Sequence, residues 1–409
     1  MHIWLISLFE QTPVDNVFST RFISIADIAQ KRGHQVSFFA STFKHNTKNQ
    51  RFDTTTEVVL NDKYKMLFVK SLPYKKNVSL RRLYAHYQFS KKLPVHLNAA
   101  PRPDVIFIAL PAVSVAYAVT KWAQVRGIPV IIDIIDPWPD IFRKALRRFP
   151  KKIQDTFLYS MRQQVKKIFT RAAAVSAISN EYIDWAKTYH SNIAFTKCFY
   201  PAADLHEMQA QLQEAAKFEK KRENVFQIIY AGSLASSYDV PGILEAAAIL
   251  EKKYPGKIEF VIAGAGPQQS LVEKYIRQHT NLRYVGRLGK AALMREYFLS
   301  DIGLTQHVKG ASQSVTYKLF DLLACGLPIM NSLDSEMKHI ILENKVGLFN
   351  EPGDAVMLAG NIEFCYNNPD EYNAMKSRAT ALTAKLGDAK IVYNEAVDFI
   401  EAAAANRLQ

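Results

Sequence analysis

The sequence predicts an α/β protein built from two doubly wound, Rossmann-like domains whose sheets face a central cleft. Three observations carry that expectation. Short runs of continuous apolar residues, the mark of strands buried on both faces of a parallel sheet, alternate with stretches of helical length. The pattern opens at the N-terminus and starts again near residue 225. The 409 residues, 48% hydrophobic and 22% charged, are enough for two cores and too ordinary in composition for disorder.

Taken in order, residues 3 to 9 and "QVSFFA" (35 to 40) read as strands around a helix near 19 to 32, with Gly33 as its C-terminal stop. "PDVIFIAL" (103 to 110), the helix in "SVAYAVTKWAQVRG", and "PVIIDII" (129 to 135) repeat the unit, and "AAAVSAIS" (172 to 179) adds a strand. The second half gives strands at 225 to 233, 258 to 266, 282 to 288, 302 to 307, 327 to 332 and 347 to 351. Helices fall between them near 240 to 253, 268 to 279, 290 to 299 and 315 to 325. "KCFYPAADLHEM" reads as a linker, which sets domains of 1–200 and 201–385 and leaves 386–409 as a C-terminal helix packing back on the first domain. In such sheets ligands bind beyond the carboxyl ends of the strands.

Cys198, Cys325 and Cys365 are far apart in no metal-ligand or redox spacing, which fits a reducing compartment and implies no metal site. The opening "MHIWLISLF" lacks a basic leader and is too short to span a bilayer, and no later run reaches the roughly 20 apolar residues a membrane helix needs. The net charge of +14 favours a polyanionic partner. It concentrates in the first half, where ten basic residues from Lys63 to Arg102 interleave with Tyr64, Phe68, Tyr74, Leu80, Leu83, Tyr84 and Phe89, and again from Arg143 to Arg171. That mixture suits an anionic membrane surface; a solvated charged face is the plainer reading. Nucleic acid is not expected as a partner, because no recognition element accompanies the basic runs.

Candidate chemistry lies at predicted strand ends. Gly232 and Ser233 in "AGSLASS" follow a strand and precede a helix, a turn that suits phosphate or is an ordinary loop. "AGAGPQQ" (263 to 269) is not a dinucleotide fingerprint, because Pro267 breaks the spacing. Ser314, Val315 and Thr316 stand where a helix begins and free amides point outward, with Lys318 in the first turn. Those groups fit a diphosphate, and Asp321 one turn on fits a ribose diol; alternatively Lys318 and Asp321 pair with each other. In "IIDIIDPWPD", Asp136 either caps a helix ahead of Pro137 or orients an acceptor hydroxyl, and Asp133 sits deeper, where a structural hydrogen bond is expected.

As a set, in order along the chain, "PDVIFIALPAVSVAYAVTKWAQVRGIPVIIDIIDPWPD", "YAGSLASSYDVPGILEAAAIL", "FVIAGAGPQQSLVEKYI", "LRYVGRLGKAALMREYFLSDIGL" and "SVTYKLFDLLACGLPIM" resemble the bacterial family 4 glycosyltransferases. The likeness is to the branch that builds O-antigen, capsule and other surface polysaccharides and carries a D-x-W-P element. The resemblance implies the GT-B fold, with an N-terminal acceptor domain and a C-terminal nucleotide-sugar domain. It also implies a hexosyl- or N-acetylhexosaminyltransferase that retains anomeric configuration and needs neither cofactor nor metal. Its partners would be a nucleotide-diphosphate sugar and a lipid-linked saccharide, met at the cytoplasmic face of the inner membrane.

Carried over, Gly232 and Ser233 match the family's diphosphate turn, Lys318 its lysine, Asp321 the position of its ribose-binding Glu, Arg287 its base-binding loop and Asp136 the D-x-W-P aspartate beside Trp138. Gln313 stands where the family has its other Glu, which removes a charge from the donor-sugar contact and leaves open a GT-B-shaped partner subunit without turnover. The family's glycine-rich first loop is "FEQTPVDNVFSTRF" here, so acceptor recognition is expected to be this chain's own, using Arg21 and Trp138.

Overall fold

The computed structural model describes residues 1–15, 20–77, 79–219, 222 and 224–405, the side chains of 144 and 145 excepted. The chain divides into two compact units, Met1–Tyr200 together with the segment from Ile391 onward, and Pro201–Lys390.

The first unit holds eight strands: β1 (His2–Ile6), β2 (Gln35–Ser41), β3 (Thr56–Asn61), β4 (Tyr64–Val69), β5 (Val105–Leu110), β6 (Val130–Ile134), β7 (Ala174–Ala177) and β8 (Thr196–Cys198). They lie in the order β3-β4-β2-β1-β5-β6-β7-β8, parallel except for the β3–β4 pair. Central strands β1, β5 and β6 are buried on both faces and mostly apolar because helices cover both, as in any parallel sheet of this kind. Trp4, Phe39, Ile108, Val119 and Phe169 belong to the resulting core. The first helix, Arg21–Lys31, ends where expected: Gly33 takes φ +89 and its amide and that of His34 close back on Gln30 and Ala29.

The second unit starts again with β9 (Phe226–Ala231), β10 (Ile258–Ala263), β11 (Leu282–Gly286), β12 (Ile302–Thr305), β13 (Ile329–Asn331) and β14 (Gly347–Phe349). These form one parallel sheet in the order β11-β10-β9-β12-β13-β14. The strand order reverses at β9–β12, the place where open sheets of this type leave a crevice for a ligand.

The structure departs from the sequence expectation in three places. β4, the second arm of the β3–β4 hairpin, and the helix Leu80–Ala99 occupy what read as one basic, aromatic tract. Within that tract Tyr64, Phe68, Tyr74 and Phe89 are buried and belong to packing, while Leu80 and Tyr84 are exposed. Lys65 within β4, with Lys63 and Lys70 flanking it, hid the inward period of two in that strand, and further basic residues hid the helical period beyond it. The expected linker is shorter, since Cys198 ends β8 and Asp204 already caps the helix Leu205–Phe218 through Glu207 N–H at 2.9 Å.

The last helix, Ala389–Ala404, crosses to the first unit at Ile391 rather than at residue 386. It is held there by Arg32, which donates to Asp398 and Asn394, and by Phe399 edge-on to Phe199. Among the described residues no helix is long and apolar enough to cross a membrane.

Candidate functional site

In the second unit the chain leaves β9 through Gly232, whose amide donates to Ala263 C=O at 2.8 Å. The Tyr230 hydroxyl donates to Ser233 C=O at 2.7 Å and fixes the turn. Gly232 has no room for a side chain, because a Cβ would occupy the place of the Lys318 ammonium. Gly264 and Gly266, the glycines of the imperfect dinucleotide motif, matter for another reason, since a Cβ on either would strike the backbone of Gly232 or of Leu234. They let the loop after β10 support the turn after β9.

Lys318 comes from the helix Tyr317–Ala324, which follows the loop after β12. Its Nζ lies 4.4 Å from the centre of the Tyr230 ring and 4.3 Å from that of Tyr238. It is buried with no hydrogen-bond partner among the described residues, and burial lowers its pKa to about 7. The two phenols are themselves raised by burial and stay neutral hydroxyls. A cation left without a counter-ion at the crevice of a parallel sheet is a place prepared for an anion.

Asp321 does not neutralise it. The Asp321 carboxyl makes no ion pair or hydrogen bond among the described residues, and burial raises it to about 7 against the pull of Lys290. Its field acts on Tyr297 and Cys325, away from the turn. The internal Lys318–Asp321 pair open on sequence grounds is therefore not formed.

The loop ahead of the helix supplies more. Ser314 and Val315 are buried, the Ser314 carbonyl accepts from Ser335 Oγ at 2.7 Å, and Thr316 occupies the N-cap position without a side-chain cap. The Thr316 hydroxyl turns instead to Met337 Sδ at 3.6 Å. Gln313 Oε1 is buried and has no partner among the described residues. Arg287 follows Gly286 (φ +65) on a turn, its side chain exposed.

The sequence reading missed His307, Tyr230 and Tyr238. His307 follows β12, its ring 4.9 Å from that of Tyr238, and the two residues bridge the loops after β12 and β9. Burial first, and Lys318 second, lower its pKa to about 4. The available signal was position: each ends or follows an apolar strand at its carboxyl end.

In the first unit Asp136 follows β6. Its side chain caps no helix among the described residues; the nearest helical segment starts at Phe142, and the Asp136 carbonyl accepts Trp138 N–H in a tight turn. The carboxyl has no hydrogen-bond partner among the described residues, and burial raises it to about 6, opposed by Arg82. Arg82, also missed, lies 4.5 Å over the Trp138 ring and 5.0 Å over that of Phe9, with His86 close by.

Two expected acceptor contacts are corrected. Arg21 is 1% exposed and clamps Asp133 with two hydrogen bonds of 2.7 and 2.9 Å, while its third nitrogen donates to Phe199 C=O. It is a structural tie, and Asp133, also bonded by Ser176 Oγ at 2.7 Å, has the structural bond expected of it. Trp138 is 2% exposed, packed among Arg82, His86 and Phe142, so its ring serves packing and is not an exposed face for a sugar. Residues 16–19 of the first loop, where acceptor recognition was also expected, lie outside the described residues.

Comparison with known proteins places this geometry. The model described as glycosyltransferase family 4 matches residues 19–198, and that of glycosyl transferases group 1 matches residues 212–382. The two matches fall one on each unit, both to glycosyltransferase models, and the fold is of the GT-B type. It is 29% identical over 110 residues to the UDP-glycosyltransferase TURAN of Arabidopsis thaliana, a match over 25% of this chain and 23% of that protein. It is 27% identical over 131 residues to the alpha-monoglucosyldiacylglycerol synthase of Acholeplasma laidlawii, over 31% of this chain and 32% of that one. Both matches thus span about a third or less of the relatives' length. In fold it resembles the Anabaena protein HepE in complex with UDP and glucose, with TM-score 0.66, 13% identity, and 98% and 99% of the two chains covered.

Proposed function

We propose that the protein transfers a sugar, with retention of configuration, from a nucleotide-diphosphate sugar to a hydroxyl of a lipid-linked saccharide in the assembly of a cell-surface polysaccharide. The observation that carries the donor half is the Lys318 ammonium, buried against the glycine turn at Gly232 with no partner among the described residues. A diphosphate would take that charge together with the amide of Ser233 and the amides from Ser314 to Thr316. Because negative charge grows on the diphosphate as the glycosidic bond breaks, these fixed donors lower the barrier without reorganising. Asp321 accepts the ribose hydroxyls, Arg287 lies against the base, and Gln313 contacts the sugar. The HepE complex, which holds UDP and glucose on a similar fold, supports this reading.

The acceptor half rests on the first unit. Asp136 orients the attacking hydroxyl; the leaving phosphate oxygen takes its proton. A cavity of about 200 Å³ beside it is lined by Leu80, Leu83, Trp138, Phe142 and Phe157, with Leu80 and Phe157 exposed at the surface. Tyr87, Phe149, Ile153 and Tyr159 are also exposed in this unit, interspersed in sequence with its basic residues. Such a surface suits the cytoplasmic face of an anionic membrane, where each Lys or Arg contributes roughly 1 kcal/mol. The relative from Acholeplasma laidlawii is by name a glycolipid synthase, which supports a lipid acceptor.

The decisive experiment is a thermal-shift and calorimetric screen of UDP, GDP, dTDP and their sugars, repeated on Lys318→Ala. One nucleoside diphosphate should stabilise the wild type and lose its effect in the variant. Equal binding by both proteins would remove Lys318 from the diphosphate site. Flotation with anionic liposomes at low salt tests the membrane half, and failure to float rejects it.

A further inference from the structure

We propose that His307 reads the transferred sugar: its Nε2 accepts a hydrogen bond from one hydroxyl of the donor's sugar. The proposal rests on the nucleotide-sugar reading above and names the contact that sets sugar specificity. Four observations lead to it.

The backbone of His307 is held at both ends by one side chain, since Ser332 Oγ accepts from its N–H at 2.7 Å and donates to its C=O at 2.9 Å. The ring is placed in turn by Tyr238. Its Nδ1 lies 3.3 Å from Thr305 C=O, and a carbonyl can only accept, so the proton is on Nδ1 and Nε2 carries a lone pair. That Nε2 is buried and has no hydrogen-bond partner among the described residues, whereas a histidine kept for packing usually satisfies both nitrogens.

Its surroundings decide what it accepts from. Burial, and the charge of Lys318 after it, keep the ring neutral, so His307 adds no charge for the diphosphate. A lone pair also repels phosphate oxygens and carboxylates, which leaves a donor group as the partner, and on a hexose the donors are its hydroxyls. Gln313 Oε1, a second buried acceptor with no partner among the described residues, lies on the same loop. In place of a charged carboxylate at that position, this chain presents two neutral acceptors, His307 and Gln313, to sugar hydroxyls. A cationic lysine and neutral acceptors divide the donor between diphosphate and hexose.

The test compares wild type, His307→Ala and His307→Gln with UDP-glucose, UDP-N-acetylglucosamine and GDP-mannose, and then with the monodeoxy and deoxyfluoro analogues of whichever donor is turned over. Calorimetry with the matching nucleoside diphosphate is run on the same preparations. One analogue, lacking the hydroxyl that His307 reads, should lose roughly tenfold or more in kcat/KM with the wild type. His307→Ala should not discriminate that analogue from the parent donor, and His307→Gln, whose amide oxygen still accepts, should keep part of the discrimination. Nucleoside diphosphate affinity should be unchanged in both variants.

Equal penalties in wild type and His307→Ala overturn the proposal. So does loss of nucleoside diphosphate affinity in a folded variant, which would assign His307 to the support of Lys318. Should the alanine variant not fold, the glutamine variant alone decides by the same comparison. If the wild type binds none of the nucleoside diphosphates, the nucleotide-sugar reading falls first and this contact with it; if they bind and only the discrimination is missing, the His307 assignment fails alone.

Discussion

Each unit buries charge at its sheet, and the two do so in opposite ways. In the first, Arg21 and Asp133 meet at 2.7 Å with 1% and 0% of their side chains exposed, and Phe199 and Ser176 take up further bonding capacity. In the second, Lys318 and Asp321 lie one turn apart on one helix and leave each other unpaired, each driven by burial toward its neutral form near pH 7. A satisfied buried pair fixes a fold; an unsatisfied one costs stability until a ligand completes it.

The largest expected effect breaks the satisfied pair. Asp133→Ala leaves the Arg21 guanidinium buried and uncompensated, and should cost about 3–5 kcal/mol, read as a large fall in denaturation midpoint. The double variant Arg21→Met, Asp133→Leu should recover much of that loss, because both charges go together. If the single change is harmless, the contrast between the units does not hold.

Removing the unsatisfied cation should do the reverse. Lys318→Met is expected to raise the melting temperature of the ligand-free protein by a few degrees while weakening nucleoside diphosphate binding by roughly a hundredfold or more. Its folded pKa lies below the unfolded value of 10.5, so the unfolded chain binds more protons between about pH 7 and 10, and this group's penalty relaxes as pH rises. For Asp321, raised from 3.8 to about 7, the sign is opposite, and its penalty grows from about pH 4 to 7. The two curves leave the strain greatest near neutrality.

A third expectation follows from the same group. At pH 8 most Lys318 side chains are neutral in the empty protein, and a bound diphosphate recharges them, so binding should take up most of one proton. Calorimetry in buffers of different ionisation enthalpy measures it. At pH 6 the uptake should vanish, and an uptake independent of pH would separate the lysine from the ligand.

Smaller effects are expected in the first unit. Asp136→Asn should reduce transfer about tenfold with donor binding intact, and wild-type transfer should fall as pH drops through about 6, where the carboxylate protonates. Trp138→Phe should change acceptor kinetics least of all, less than about threefold, because the buried indole N–H already lacks a partner among the described residues and the ring serves packing.

The sheets were legible in the sequence because strands buried on both faces are apolar almost without interruption, as in "VIFIAL" and "IIYA". The hairpin β3–β4 was not, because its edge strand "TEVVLN" is mostly exposed and lacks the continuous apolar run of a covered strand. At the site, Gly232 and Lys318 were legible as types at strand and helix ends. Their contact was not, because it joins residues far apart in the chain. Arg21 read as a ligand contact for the same reason, since nothing local reveals that Asp133 waits for it. His307 and Arg82 escaped because a single buried histidine or arginine has no spacing to read.

Gly264 supplies no group of its own to the ligand. It stands one layer behind, and any residue larger than glycine would displace the carbonyl of Gly232. In an unbiased mutational screen scored only by lost activity, it would therefore rank with Lys318 as if it met the substrate. A screen that also scored protein abundance would not separate the two, if the displaced turn leaves the core intact. Only a ligand-bound measurement on the variant would show that the hit is a wall of the pocket and not one of its hands.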